Sequence, residues 1–392
     1  MKKEIYLDYS STTPVDKKVI DKMMPYFRKN YGNPSSIHNL GHKSLLAIDK
    51  ARNQVADFLN CKQDEIIFTG SATEANNIAI LGFIEKIRKE RKNIHVITSK
   101  IEHDAVLEPI KNLEKRREIS ATFISVGKKG IISLNEFKKS IKKETSLVSI
   151  MYANNEIGTI QPIKEIGEII KEENKKRSDN NKIFFHTDSV QAINYLNCKV
   201  DYLGVDFLVF SGHKIYGPKG IGALYIKRKS PVASITYGGG QEKGLRSGTE
   251  NVSAIVGLGE AVKMVSENEN KRILALRDKI VEEVLKKIKG SKVNGCLENR
   301  LPNNINFSFK GAEGESIIMA LDQKGIMTST GSACSAKNLE PSHVLLATGI
   351  SREEAHCSLR VSLGRYTKKE DIDYFLNVLP DIIKRLKKIS GR

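Results

Sequence analysis

Over its first two thirds the chain alternates short apolar runs with longer amphipathic stretches, and few folds accept that order. The apolar runs fall at 66–68, 94–98, 122–126, 147–153, 183–186, 207–210 and 222–226, with helical periodicity at 75–87, 105–117 and 163–173 between some of them. Strands that alternate with helices form a mostly parallel sheet covered on both faces. The spacing therefore predicts an α/β fold with seven strands, and a ligand at their carboxyl ends. After residue 253 the pattern changes to long charged helices (254–265, 272–289, 314–324, 369–388) with strands at 305–309 and 358–362. The expected division is a large domain of residues 15–260 and a smaller α/β domain made of 1–14 and 261–392.

Charge and cysteine usage exclude several classes. The 392 residues carry 64 Lys+Arg against 46 Asp+Glu, a formal charge of +18. The lysine runs at 86–92, 171–182 and 384–392 contain no interleaved aromatics and no zinc-finger or RRM signature, so they read as solvated faces. No direct nucleic-acid partner is expected, although the positive field suits an acidic protein or a transient tRNA-bound partner. No apolar run has membrane-spanning length, and Glu4 and Asp8 stand where a signal peptide needs an apolar stretch. A soluble cytoplasmic protein without membrane partners is expected. Five widely spaced cysteines, with no C-x-x-C pair and no Cys/His cluster, argue against a disulfide framework and a structural zinc site.

Polar residues stand directly after the expected strands. Gly70-Ser71-Ala72-Thr73-Glu74 opens a helix, with the composition of either an N-cap or a phosphate cradle. Glu102-His103 follows the second strand, and Asn154-Asn155-Glu156 the fourth. Asp188 and Gln191 follow the fifth, where an acid can also cap a helix. Ser211-Gly212-His213-Lys214 follows the sixth and runs into a glycine-rich turn. A lysine held between a buried strand and such a turn can be partly desolvated, which favours Schiff-base chemistry. A lysine, an acid, an imidazole and a phosphate cradle on one sheet edge are the parts that hold pyridoxal 5'-phosphate.

In ordered motifs the chain resembles the cysteine desulfurases of the NifS/IscS type, in the class V aminotransferase family. The motifs are YLDYSSTTP at 6–14, GNPSSIH at 32–38, GSATE at 70–74, EH at 102–103, NNEIG at 154–158, SGHKIYGPKG at 211–220, RSGT at 246–249, GSAC at 331–334 and LEPS at 339–342. The resemblance implies a homodimeric fold type I pyridoxal-phosphate-dependent transferase. It implies that Lys214 is the Schiff-base lysine, that His103 stacks on the ring and assists proton transfer, and that Asp188 and Gln191 partner the ring nitrogen and the phenolate oxygen. It makes Thr73, Ser211, His213 and the backbone of Ala72 phosphate ligands, with Thr249 donated by the other subunit, and Asn155 and Arg360 contacts of the substrate carboxylate. No metal is implied.

Cys334 separates such desulfurases from plain aminotransferases. It lies among small polar residues at 328–337, a setting expected of a mobile loop rather than of a core thiol. The resemblance implies that L-cysteine is converted to L-alanine while Cys334 takes the sulfur as a persulfide. That sulfur would pass to an acceptor protein serving iron–sulfur assembly, tRNA thiolation or both. Attack needs the thiolate, and the resemblance makes His103 the candidate to take the Cys334 proton. Lys337 stands where well-known members carry a small residue, and a C-terminal tail like that used by some members to dock a scaffold is expected to be short or missing. The competing readings are a selenocysteine lyase or another class V aminotransferase, neither of which requires Cys334. A non-catalytic sulfur-assembly scaffold would have no need of Lys214, Asp188 and His103 together.

Overall fold

The computed structural model of the chain describes residues 4–331 and 340–391. Among them the strands run β1 (Ile5–Tyr6), β2 (Ile66–Thr69), β3 (His95–Ser99), β4 (Ser120–Ile124), β5 (Thr145–Ser149), β6 (Phe184–Asp188), β7 (Phe207–Ser211), β8 (Gly222–Ile226), β9 (Ser291–Val293), β10 (Asn304–Phe309), β11 (Ile326–Met327) and β12 (Ser358–Ser362). Seven form one sheet in the order β2-β8-β7-β6-β5-β3-β4. Only β8 runs against its neighbours β2 and β7; the other pairs are parallel. This is the mostly parallel seven-stranded α/β sheet that the alternation requires.

Both faces of the sheet are apolar, which explains why its strands read as continuous hydrophobic runs. Val96, Leu147, Phe207 and Val209 pack on one face with Ile78, Phe83 and Ile110. Ile97, Val148, Leu208 and Phe210 pack on the other with Val55, Ile166 and Ile255. Strand order reverses between β3 and β5, because β4 lies outside β3 while β5 lies on its other side. Open sheets bind ligands at the carboxyl ends beside such a reversal. Residues 102–103 and 150–155 leave the sheet at this point.

A separate apolar cluster surrounds the antiparallel strands β9-β10-β12 and contains Phe307, Phe309, Val361 and Phe375. Ile5 and Leu7 join it, and β1 pairs with β11. The helices Glu267–Lys287 and Lys369–Ile389 cover it. The amino-terminal segment therefore begins in the smaller unit. It then crosses to the large sheet, where Thr13 N–H donates to His213 O at 2.9 Å.

Among the elements that differ from their sequence reading, two lie beside the ligand-binding edge of the large sheet. The strand expected at 147–153 ends at Ser149, although the N–H groups of Ile150 and Tyr152 still donate to the β6 carbonyls of His186 and Asp188. Burial of residues 150–153 makes the bend as apolar as a strand. The helix expected at 75–87 is interrupted by a wider π-helical turn at Ile78–Gly82. No helix among the described residues is long and apolar enough to cross a membrane.

Candidate active site

The carboxyl ends of β2, β3, β5, β6 and β7 open into a cavity of about 520 Å³, within the usual range for small-molecule sites. Ala72, Thr73, His103, Asn155, Asp188, Gln191, Ser211, His213, Lys214 and Arg360 all line it. Thr249 does not; it is exposed in its own chain. Cys334 lies outside the described residues, and Gly331, the last described residue before it, lines the cavity.

Lys214 follows β7 in a short 3-10 turn and donates to the carbonyls of Ser10 and Ser11, the latter at 2.8 Å. Tyr216, two residues later, has φ 64° and is fully buried, and its hydroxyl accepts from Arg365 N–H at 2.5 Å. Packing thus holds a left-handed backbone that a bulky residue rarely adopts. Tyr216 N–H donates to Thr13 Oγ1 at 2.9 Å. These contacts pin the lysine turn beneath the amino-terminal crossing.

Asp188 ends β6 and is 6% exposed. Its Oδ2 accepts from Asn76 Nδ2 at 2.8 Å and its Oδ1 from Val190 N–H at 3.0 Å. Gln191 Nε2 donates to Ser10 O at 3.0 Å. His213 Nδ1 lies 3.2 Å from Thr12 Oγ1, and burial, then the nearby charges of Lys214 and Lys219, pushes its pKa down to about 4. His213 is therefore a neutral ring near pH 7.

The helix Ala72–Asn77 begins at the cavity wall. Ser71 caps it by accepting from Glu74 N–H at 3.1 Å. The N–H groups of Ala72 and Thr73 belong to the first turn, which a helix cannot satisfy from within. Gly222 of β8 lies against this turn: a Cβ there would stand 2.9 Å from Ala72 N. Only a glycine lets the strand approach so closely.

His103 caps the helix Asp104–Lys115, its Nδ1 accepting from Ala105 N–H at 3.1 Å. With Nδ1 acting as acceptor, the neutral ring carries its hydrogen on Nε2. Beside it the carboxyl of Glu102 is fully buried, accepting from Ser99 Oγ at 2.5 Å and Met151 N–H at 3.0 Å. Burial pushes its pKa up to about 8, and Asp188 adds to the rise. Arg360 of β12 reaches in from the smaller unit. Its Nη2 donates to Asp8 Oδ1 at 2.7 Å and Ser11 Oγ at 2.6 Å, and its Nη1 to Asn155 O at 3.0 Å.

Sequence reasoning assigned no role to Ser10, Ser11, Thr12 or Asn76, all of which line the cavity. The first three lie within the motif at 6–14, but no periodicity shows that an amino-terminal segment crosses between units. The donor set fits pyridoxal phosphate. An amine and a buried carboxylate stand on one cavity, with first-turn N–H groups and the hydroxyls of Thr73 and Ser211 in the same wall.

The family described as "Aminotransferase class-V" matches residues 5–375. "Cysteine desulfurase IscS" of Dictyoglomus turgidum is 48% identical over 393 residues, covering 100% of this chain and 97% of that protein. "Cysteine desulfurase IscS 1" of Archaeoglobus fulgidus is 46% identical over 388 residues, 98% of each. Among solved structures, a NifS-like protein is 36% identical with a TM-score of 0.90, covering 98% of this chain and 100% of that one. A structure titled "SspA in complex with cysteine" is 37% identical with a TM-score of 0.80, over 94% of this chain and 100% of that one. By its sequence, its fold and the arrangement of this cavity, the chain belongs to the class V aminotransferase family, with the cysteine desulfurases of the NifS/IscS type.

Proposed function

We propose that the protein is a pyridoxal-phosphate-dependent desulfurase of L-cysteine that releases L-alanine and stores the sulfur as a persulfide on Cys334. The observation that carries this reading is the convergence of Lys214, Asp188, His103, Thr73, Ser211, His213 and Arg360 on one cavity. Bound cofactor would supply an electron sink for the carbanion formed at the substrate α-carbon. Lys214 would hold it covalently and, once displaced, move the α-proton. Asp188 would keep the ring nitrogen protonated, and Gln191 would face the phenolate oxygen. Ala72, Thr73, Ser211 and His213 would bind the phosphate.

Arg360 orients the substrate carboxylate together with Asn155. Its Nη donors are already engaged, so an incoming carboxylate displaces the neutral acceptors Ser11 Oγ or Asn155 O while Asp8 keeps its bond. A charged acceptor is the stronger one for a guanidinium. In the sulfur step the C–S bond of the substrate breaks and an S–S bond forms at Cys334, with one proton moving to the former β-carbon. His103 presents Nε2–H as a proton donor. Taking a proton from Cys334 at Nε2 would require the ring to give up its cap on Ala105.

In this reading residues 15–260 form the cofactor-binding domain, and 1–14 with 261–392 the smaller domain that supplies Arg360 and Cys334. The enzyme acts in the cytoplasm as a homodimer. Exposure of Thr249 outside its own cavity supports its donation to a partner's phosphate site. Met24, Phe27, Tyr31 and Leu46, each more than half exposed, supply apolar surface for a second copy. The persulfide would pass to an acceptor protein of iron–sulfur assembly or tRNA thiolation.

The test is incubation of the holoenzyme with L-cysteine and a thiol reductant, measuring alanine and sulfide for wild type and Cys334→Ala. Equimolar products, lost in the variant while the bound cofactor's absorbance remains, are expected. Undiminished turnover in the variant would instead make this an enzyme that does not use Cys334.

A further inference from the structure

The helix Ala72–Asn77 touches the cavity twice. Ala72 and Thr73 open it, and Asn76 lies four residues beyond Ala72, hence on the same helical face. Asn76 is fully buried and donates from Nδ2 to Asp188 Oδ2 at 2.8 Å. The amide orientation follows from chemistry, since an ionised carboxylate only accepts. Among the described residues Asn76 Oδ1 has no partner. Among the described residues, the one hydrogen bond of this side chain is therefore to Asp188.

The surroundings make that bond matter. Asp188 Oδ1 is fixed by Val190 N–H, so among the described residues Asn76 is the donor that defines the other oxygen. His186, two residues earlier and on the same strand face, is buried with Nδ1 2.8 Å from Ser149 Oγ. Burial pushes its pKa down to about 3, which leaves it uncharged. Glu102, also buried nearby, is neutral over most of the physiological range. Asp188 thus shares its strand face with an uncharged histidine, and the orientation of its carboxylate rests on two N–H donors.

We propose that Asn76 is a positioning residue that aims the Asp188 carboxylate at the cofactor's ring nitrogen and couples that aim, through one rigid helical turn, to the phosphate cradle at Ala72 and Thr73. This rests on the reading of the cavity as a pyridoxal-phosphate site. Asn76 touches Asp188 rather than the reacting atoms, so its loss alters charge stabilisation in the transition state more than substrate binding.

The experiment compares holoenzymes of wild type, Asn76→Leu, Asn76→Asp and Asp188→Ala. It measures cofactor content, the pH titration of the visible cofactor band, kcat and KM for L-cysteine, and apoenzyme melting. Asn76→Leu should keep cofactor and melting temperature near wild type, shift the band's titration, and lower kcat about tenfold or more with KM little changed, as expected for one lost charge-assisted bond. Asn76→Asp can donate to Asp188 only while it carries a proton. Its kcat should approach wild type on the acid side and fall on the alkaline side, a profile that mere structural damage would not produce; this variant also serves if the leucine form does not fold. A wild-type titration and kcat in Asn76→Leu, beside a damaged Asp188→Ala, would overturn the positioning role alone. A wild type that takes up no pyridoxal phosphate would overturn the underlying reading as well.

Discussion

The two edges of the seven-stranded sheet carry cavities of opposite character. At the carboxyl edge lies the 520 Å³ site. At the other edge, where β6 and β7 begin and β8 ends, lies a larger groove of about 910 Å³, lined by Cys61, Glu65, Lys164, Lys182, Asp206 and Lys227 among others. Four of the five lysines that line it lie in ion pairs, with Lys227 3.3 Å from Asp206, Lys182 2.6 Å from Asp179, Lys175 2.7 Å from Glu172 and Lys164 3.9 Å from Glu168. Its thiol, Cys61, is pushed up to about 12 by burial and neighbouring acids, which leaves it inert. The site edge instead holds buried polar atoms with no partner among the described residues, Asn76 Oδ1 and Arg360 Nε. Incomplete satisfaction of buried polar groups, rather than volume, distinguishes the site from the groove.

The comparison breaks most readily at Lys214. Lys214→Ala should abolish alanine formation, by about three orders of magnitude or more, with loss of the visible cofactor band, since the covalent partner of the cofactor is removed. Retained turnover would remove the site edge's claim to the chemistry. Arg360→Lys is expected to raise KM for L-cysteine about a hundredfold with a smaller fall in kcat, because lysine cannot reproduce the forked donor. Part of that effect will come from Asp8 and Ser11, which lose their partner. An unchanged KM would place the substrate carboxylate elsewhere.

These two residues also show what could be read in the chain. Lys214 and Asp188 follow apolar strands directly, so the alternation alone put them on one edge. Strand β8 is legible at its exact bounds, 222–226, because glycines open the buried apolar run and the basic residues Lys227, Arg228 and Lys229 close it. Arg360 needed the family resemblance, since nothing local shows that β12 of the second unit reaches the first. Ser10, Ser11 and Asn76 carried no local signal: their contacts span 204, 203 and 112 residues. The bend at 150–153 was hidden because burial, not extension, makes it apolar.

Glu102 sharpens the comparison through pH. Its pKa of about 8 in the folded chain lies above the ordinary 4.5, so between those values the native state keeps a proton that the unfolded state releases. Its contribution to stability is fully present below 4.5 and is lost as pH rises through 8. Glu102→Gln cannot ionise yet can still accept from Ser99 and Met151. The variant should therefore gain on wild type by several degrees in melting temperature from pH 5 to pH 8. Parallel melting curves across that window would mean that the buried carboxyl does not hold its proton.

The smallest expected effect lies in the groove. Lys227 is 58% exposed while its partner Asp206 is mostly buried and also accepts from Phe185 N–H at 2.9 Å. Burial raises the Asp206 pKa, and Lys227 opposes the rise. An exposed lysine loses most of its attraction to solvent screening, so Lys227→Gln should cost at most about 1 kcal/mol. The residual cost comes from leaving Asp206 with one backbone donor. Cofactor content, kcat and KM should stay at wild-type values, because the full depth of the sheet separates the groove from Lys214. A fall in kcat without a fall in melting temperature would show that the two edges communicate, and that satisfied charges at one edge still serve the chemistry at the other.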